Sequence, residues 1–504
     1  MKRFNFLTIA LAVGVFSSPA ISMEYRIGKT RTYKSPADLV GKIQLQGGDL
    51  VIIDIGDYGD SGIDSSSNSI LLRNINNNPN ASESDRVIIQ GETSKLATGE
   101  IVKPRLSAGL EIRNSRYVTV KDLDIKRTNN PWAAVVVHEG SSSITLSQLI
   151  ARDSGVGISI NGGINHQIID SDVANNLEHG ITVREDASHS SRPSALSLIR
   201  NNTVFGNGAH GIDIESSYWR VEKNHVRNNG SAYGGTSGIH LFSSKDVSSI
   251  DGSHDCDFNE IYYNYVVGQK DSTLYDGNGI QVDHFCDDNK VAYNVTSNNA
   301  GAGISVLIGK NNKIFANTSY GNATDLNRKA KKGVVRGEII LASSDSYCPD
   351  EDHNGSCVVD RLPVPADRGG SNIVYDNIAV STQADVPAIH VTPEFAAISG
   401  ASKNNLYLNW YSNAVANGSV LRWGYEDRNS VETIDQVTVS GNVVEKPKFQ
   451  NAADVEKNGL MLTAPASYQK VGWKLDELDL AGHLPRANQT SYFGAYYLCS
   501  PACN

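Results

Sequence analysis

A five-residue strand pattern returns seven times between Ala134 and about Lys310, and it limits what this chain of 504 residues can fold into. The copies are Ala134–His138, Gly157–Asn161, Gly180–Arg184, Gly211–Glu215, Gly238–Phe242, Gly279–Asp283 and Gly303–Leu307. Their starts lie 23, 23, 31, 27, 41 and 24 residues apart. A near-constant period with occasional longer steps marks a solenoid whose rungs carry loop insertions. In each copy two apolar residues flank one that varies, so alternate side chains point to opposite faces of a strand. The Ile or Val pair goes into the core and the residue between goes out.

A second strand repeats behind the first, at Asn202-Thr203-Val204, Asn224-His225-Val226, Asn264-Tyr265-Val266, Asn294-Val295-Thr296 and Asn317-Thr318. Asn tolerates left-handed backbone geometry, which suits the tight corner between two sheets of a coil. Stacked in register, such asparagines can also hydrogen-bond along the stack. The expected fold is all-β: a single-stranded right-handed parallel β-helix solenoid with loop insertions and a C-terminal cap. No rung buries its apolar face alone, so each needs neighbours on both sides. Length by itself would give roughly three domains of ~150 residues, but solenoids grow by adding rungs. The 45 Gly, 7% aromatic content and 3 Met are unlike a helical protein.

Residues 1–22 read as a secretory signal, with Lys2 and Arg3 at the positive end, Phe6 to Phe16 apolar, and Ala20-Ile21-Ser22 as cleavage site. Residues 23–450 are the expected coil. Over 451–504 the periodicity is lost, and Trp473, Leu475, Leu478 and Leu480 are expected to cap its open end.

The repeat resembles the pectin-lyase-like superfamily, which includes polysaccharide lyases and mannuronan C5-epimerases. The likeness covers roughly residues 35 to 400. It rests on Leu39 to Tyr58 (LVGKIQLQGGDLVIIDIGDY) as an entry strand, then Arg86 to Gly91 (RVIIQG) and Leu110 to Arg127 (LEIRNSRYVTVKDLDIKR) as first full rungs. These are motifs of fold. The resemblance implies a polysaccharide-active enzyme, and Ca²⁺ as a cofactor used by several lyases of the superfamily.

After the signal no run approaches the roughly 18 apolar residues of a membrane span, so the expected location is secreted or periplasmic. Removing Lys2 and Arg3 takes the formal charge from −10 to −12, which argues against nucleic acid or an anionic membrane as partner. An anionic polysaccharide stays open, because a groove can be locally basic. Oligomeric state is not legible. Six cysteines in an exported chain point to disulfides. Cys348 and Cys357 are close in sequence, as are Cys499 and Cys503, while a Cys256–Cys286 bridge would pin the longest insertion beside the outer face. The spacing is not that of a zinc site. The one dense basic run, Asn327 to Arg336, is either a solvated loop or an overhang that attracts an anionic chain.

Aligning the seven strands gives two outward columns. The first is Val136, Ser159, Thr182, Asp213, His240, Gln281 and Ser305; the second is His138, Asn161, Arg184, Glu215, Phe242, Asp283 and Leu307. With rungs about 4.8 Å apart, Arg184, Asp213, Glu215, His240, Gln281 and Asp283 form one ionisable patch a few sugar rings long. Removing the C5 proton of a uronic acid needs a base and a neutralised carboxylate. His240 is the first candidate base and Lys310 the second, the latter needing a lowered pKa. Arg184 suits bidentate capture of a carboxylate. Glu215 and Asp283, with Asp213, could gather Ca²⁺. His179 and His210 at the groove edge, with Asp213, Gln281 and Phe242, are candidate substrate contacts. A hydrolase would instead use two of Asp213, Glu215 and Asp283 as an acid and base pair. A C5-epimerase would share the proton abstraction, and a binding solenoid would grip glycan without cleaving it. The favoured reading is a polysaccharide lyase acting by β-elimination.

Overall fold

The computed structural model describes residues 22–452 and 460, apart from 60–68, 128–131, 185–194, 244–255, 273–275, 326–335, 344–345, 348–361, 365–367, 393–402, 425, 429–436 and 450. The expected signal up to residue 21, most of the basic run, Cys348, Cys357, Cys499, Cys503 and the four capping residues lie outside this set. Three long sheets of 14, 13 and 13 strands run the length of the described chain, each taking one strand per turn of the coil. Within them the pairings are parallel, apart from the last pair of the third sheet, Leu421–Trp423 with Glu426–Arg428. The third sheet carries the sequence repeat, and its register is the one the alignment demands. Ser159 pairs with Thr182, Thr182 with Asp213, Asp213 with His240, His240 with Gln281, and Gln281 with Ser305.

Inward-facing Ile and Val from all three sheets form one continuous core. Ile181, Ile212, Ile239 and Ile280 on the third sheet are fully buried, as are Val204 and Val226 on the second and Val221 and Ile261 on the first. At the amino-terminal end a short helix, Pro36–Val40, closes the coil; Ser35 caps it by accepting the Asp38 N–H, and Ala37 and Leu39 join the core. A capping oxygen there satisfies one of the amides that a helix start leaves unpaired.

The corner asparagines form a ladder. Nδ2 of Asn202, Asn224, Asn264, Asn294 and Asn317 donates to Oδ1 of the equivalent Asn one turn on, at 2.9–3.0 Å. The same Oδ1 atoms accept backbone N–H groups of the preceding rung. A parallel ladder runs through Asn176, Asn207, Asn229, Gln269, Asn299 and Asn322. The expected backbone role is corrected, however. The left-handed residue is the one before each ladder asparagine, as at Asn201, Lys223, Tyr263, Tyr293 and Ala316. The asparagine is selected for its buried amide, which satisfies groups that would otherwise be orphaned at the corner.

Cys256 and Cys286 are joined in a disulfide, the pairing expected from their place beside the long insertion. At the carboxyl end Phe449 packs with Tyr320, and Leu460 with Val267 and Val295. This stretch therefore lies along the outer flank of the second sheet.

Candidate functional site

On the outer face of the third sheet a cleft of about 490 Å³ opens across the middle rungs. Its walls include His179, Arg184, His210, Asp213, Glu215, His240, Phe242 and Asp283. Eight of the ten candidate residues therefore converge, because in-register parallel pairing carries equivalent positions onto the same face one rung on.

Asp213 sits at the centre. Its Oδ2 accepts from Arg184 Nη1 at 2.8 Å, and its Oδ1 from His240 Nδ1 at 2.9 Å. Arg184 Nη1 also meets Glu215 Oε1 at 2.5 Å. His240 Nε2 reaches Asp283 Oδ2 at 3.3 Å. Asp283 is held from behind, since Gln281 Nε2 donates to the same oxygen at 2.9 Å and the His284 N–H donates to Oδ1. Burial alone would raise the Asp213 pKa, but the Arg184 charge and the His240 hydrogen bond hold it well below the carboxylate range. Burial likewise opposes ionisation of Asp283, and the charges of His284 and His240 outweigh it, bringing the pKa to about 2.

These partners overturn the role expected of His240. Burial pushes its pKa down, but hydrogen bonds to Asp213 and Asp283 and their charges push it up further, to about 10. With a carboxylate on each ring nitrogen, His240 is an imidazolium at neutral pH and has no lone pair to offer a substrate proton. The expectation that it works near an ordinary imidazole pKa fails, because the column that supplies its neighbours supplies two anions.

Three imidazoles stack along the cleft, one per rung. His179 and His210 are parallel with centroids 5.2 Å apart, and His210 and His240 lie 4.1 Å apart at an interplanar angle of 2°. Burial and the neighbouring His240 charge hold His210 neutral, its pKa well below the usual range. The Ser237 N–H donates to His210 Nδ1 at 3.0 Å. That bond fixes the tautomer: Nδ1 carries the lone pair and Nε2 the proton. His210 therefore presents a neutral N–H donor.

The remaining candidates divide. Phe242 lines the cleft and stacks on His240 at 5.7 Å. Gln281 is corrected from substrate contact to brace: it is buried, its Nε2 holds Asp283, and its Oε1 accepts from Ser237 Oγ and Asn278 Nδ2. Lys310 lies outside the cleft walls, at a corner where its N–H donates to Asp287 Oδ1. The calcium reading of Glu215 and Asp283 does not fit the donor geometry. They stand two rungs apart in one column, about 10 Å by rung spacing, with Phe242 between. Each already faces a cation. His210, Asp213 and His240 do offer ligand atoms within 4.8 Å of one another. A metal there would have to displace the protons and hydrogen bonds just described, because such ligands bind deprotonated.

The sequence reading missed Glu178, Tyr233 and Asp276, which also border the cleft. Tyr233 belongs to the glycine-rich stretch Gly230–Thr236, whose composition signals a turn and not a site.

Residues 108–263 and 156–346 match the family described as right handed beta helix region. The described chain folds as a right-handed parallel β-helix. Among solved structures, this β-helix is similar to a point mutant of the PL6 family alginate lyase AlyGC, with 12% identity and a TM-score of 0.51 over 95% of this chain and 59% of that one. It is also similar to the Dettilon tailspike protein, at 14% identity and TM-score 0.46, covering 75% of this chain and 62% of that one. A third is the A-module of the Azotobacter vinelandii mannuronan C-5 epimerase AlgE6, at 15% and 0.48, covering 79% and 91%. The chain thus spans about three fifths of the lengths of the first two. No curated protein sequence matches it. Among the described residues no helix is long and apolar enough to cross a membrane.

Proposed function

We propose that this β-helix is an exported polysaccharide lyase that cleaves an anionic, uronic-acid-containing glycan by β-elimination in the cleft of the third sheet. The observation that carries the reading is the convergence of Arg184, neutral His210 and imidazolium His240 around one buried carboxylate, Asp213. In this reading Arg184 and the His210 Nε2–H face the substrate carboxylate and draw off the negative charge that grows there as C5 loses its proton. A neutral imidazole that donates a hydrogen bond suits that task because it need not give up its proton. His240 is a positioning residue: it fixes Asp213, and through Asp213 the Arg184 head.

The proton acceptor is His179, which lines the cleft one rung before His210. As it takes the C5 proton, the C5–H electrons become the C4=C5 double bond and the C4–O bond breaks. The leaving oxygen collects a proton, for which Tyr233 on the bordering loop is the candidate donor. No step needs a metal, and chelation is expected to leave turnover unchanged.

The test is a panel of uronate polymers with three readouts: ultraviolet absorbance of unsaturated uronate ends, reducing ends, and sugar configuration by NMR. Unsaturated ends are expected, and His179→Ala should lower turnover by about 10²–10⁴-fold, the usual worth of a general base. Saturated reducing ends would transfer the site to hydrolysis. Inverted C5 centres without cleavage would make it an epimerase, and binding without any product a glycan-holding solenoid.

A further inference from the structure

The second outward column continues beyond the cleft toward the amino-terminal end. Arg73 pairs in register with Arg113, and the same column then runs through His138, Asn161 and Arg184. Five consecutive rungs therefore place four side chains that carry or can carry positive charge on one line, across about 19 Å at ~4.8 Å per rung. The line is accessible: the side chains of Arg113, His138 and Arg184 are 48%, 28% and 36% exposed, and Arg73 is exposed at its far end.

The carboxylates facing this line are few. Glu111 is buried in the adjacent column, where it accepts from Arg113 Nη2 at 2.7 Å, from Arg127 Nη2 at 3.2 Å, and meets His138 Nε2 at 3.0 Å. One buried anion thus holds Arg113, Arg127 and His138 in place; Asp213 and Glu215 take up the Arg184 charge at the cleft end, and the surplus of positive charge lies at Arg73 and Arg113. Glu139 is exposed at the rim. On the other side of the cleft the columns turn apolar, with Leu307, Ile340 and Ala342 packed together. Among the described residues the rungs next to the cleft on that side are thus apolar, and His390 and Arg422 follow only further along the first column.

We infer that Arg73, Arg113 and His138 form a binding track for an anionic glycan, running from the cleft toward the amino-terminal end of the coil. This rests on the reading of the cleft as a site for uronate chains. The track would hold several sugars on one side of the bond being broken, so affinity would rise with chain length until the track is filled.

The experiment is calorimetric titration of the full chain with a series of purified oligouronates from two to eight sugars, for wild type, R73Q/R113Q and K313Q. Lys313 is exposed on the first sheet and controls for the loss of a positive charge outside the track. Wild type and K313Q should gain at least tenfold in affinity along the series, and R73Q/R113Q should lose most of that gain. Equal length dependence in R73Q/R113Q and wild type would overturn the track. Length-dependent binding without turnover would leave the track standing and sink the lyase reading. Absence of binding to every oligouronate would refute both.

Discussion

Replacing Asp283 by Asn removes one of the two carboxylates that keep His240 charged, and the consequence can be sized. The contact to Asp283 is 3.3 Å and that to Asp213 is 2.9 Å, so the weaker of the two is lost. Unit charges about 4 Å apart attract by ~4 kcal/mol at an effective dielectric of ~20. Part of that is returned because the amide keeps a hydrogen-bond acceptor for Nε2. A fall of roughly 1–3 pKa units follows, which takes His240 from about 10 toward the range of an ordinary imidazole. Removing Asp213 as well would leave burial unopposed and drop the ring below its usual 6.5.

The assay is a pH titration of histidine-labelled protein by NMR, with the His240 ring assigned by its disappearance in His240→Gln. In the wild type its ring shifts should stay flat from about pH 6 to 9, and Asp283→Asn should bring a titration into that window. Stability follows with a definite sign. The raised His240 pKa contributes stability that is complete below 6.5 and is lost as pH rises through about 10. The depressed Asp283 pKa contributes stability present above 3.8 and lost as pH falls through about 2. The wild-type advantage over Asp283→Asn should therefore be greatest between those limits and shrink toward alkaline pH. A wild-type His240 that titrates near 6.5 would refute the fixed imidazolium and restore the ring as a candidate base.

Two further substitutions probe the coil itself. Asn264→Ala deletes the acceptor for the Asn224 N–H and Nδ2 and the donor to Val221 O; with about 1–3 kcal/mol for each buried group left unpaired, the urea midpoint should drop by an amount equivalent to roughly 3–9 kcal/mol, and a loss under about 1 would show the ladder to be dispensable. Glu338 ends the second ladder, fully buried and accepting from Asn322 Nδ2 and Ser319 Oγ, and burial raises its pKa to about 7. Because the folded chain holds that proton more tightly, stability should fall as pH rises from 4.5 through about 7, by roughly 3 kcal/mol; Glu338→Gln should remove this slope in denaturation series at pH 5 and 8.

Vertical neighbours were legible because a strand repeat of period two admits only one register that keeps Ile and Val inside. Thr182, Asp213, His240 and Gln281 follow one another on the sheet as they do in the alignment. The length of each insertion did not matter to that result, since loops leave the coil and return to the same corner. What the columns hide is lateral reach. Nothing in the order of residues says that Gln281 turns its amide toward Asp283, or that the Ser237 N–H takes Nδ1 of His210. Tyr233 escaped for a related reason: it sits on an aperiodic loop, where no register carries information about place.

The same spacing explains why the expected base became a fixed cation. Stacking rungs at about 4.8 Å puts each outward side chain within hydrogen-bonding reach of the next one up and down. A histidine between an Asp one rung below and another anion one rung above cannot keep a neutral ring. An imidazole whose rung neighbours are other imidazoles is under the opposite pressure, because an adjacent charge drives it to release its proton. The proton acceptor should then be sought at the edge of such a patch, away from the Asp213–His240–Asp283 cluster, and His179 occupies that position next to His210.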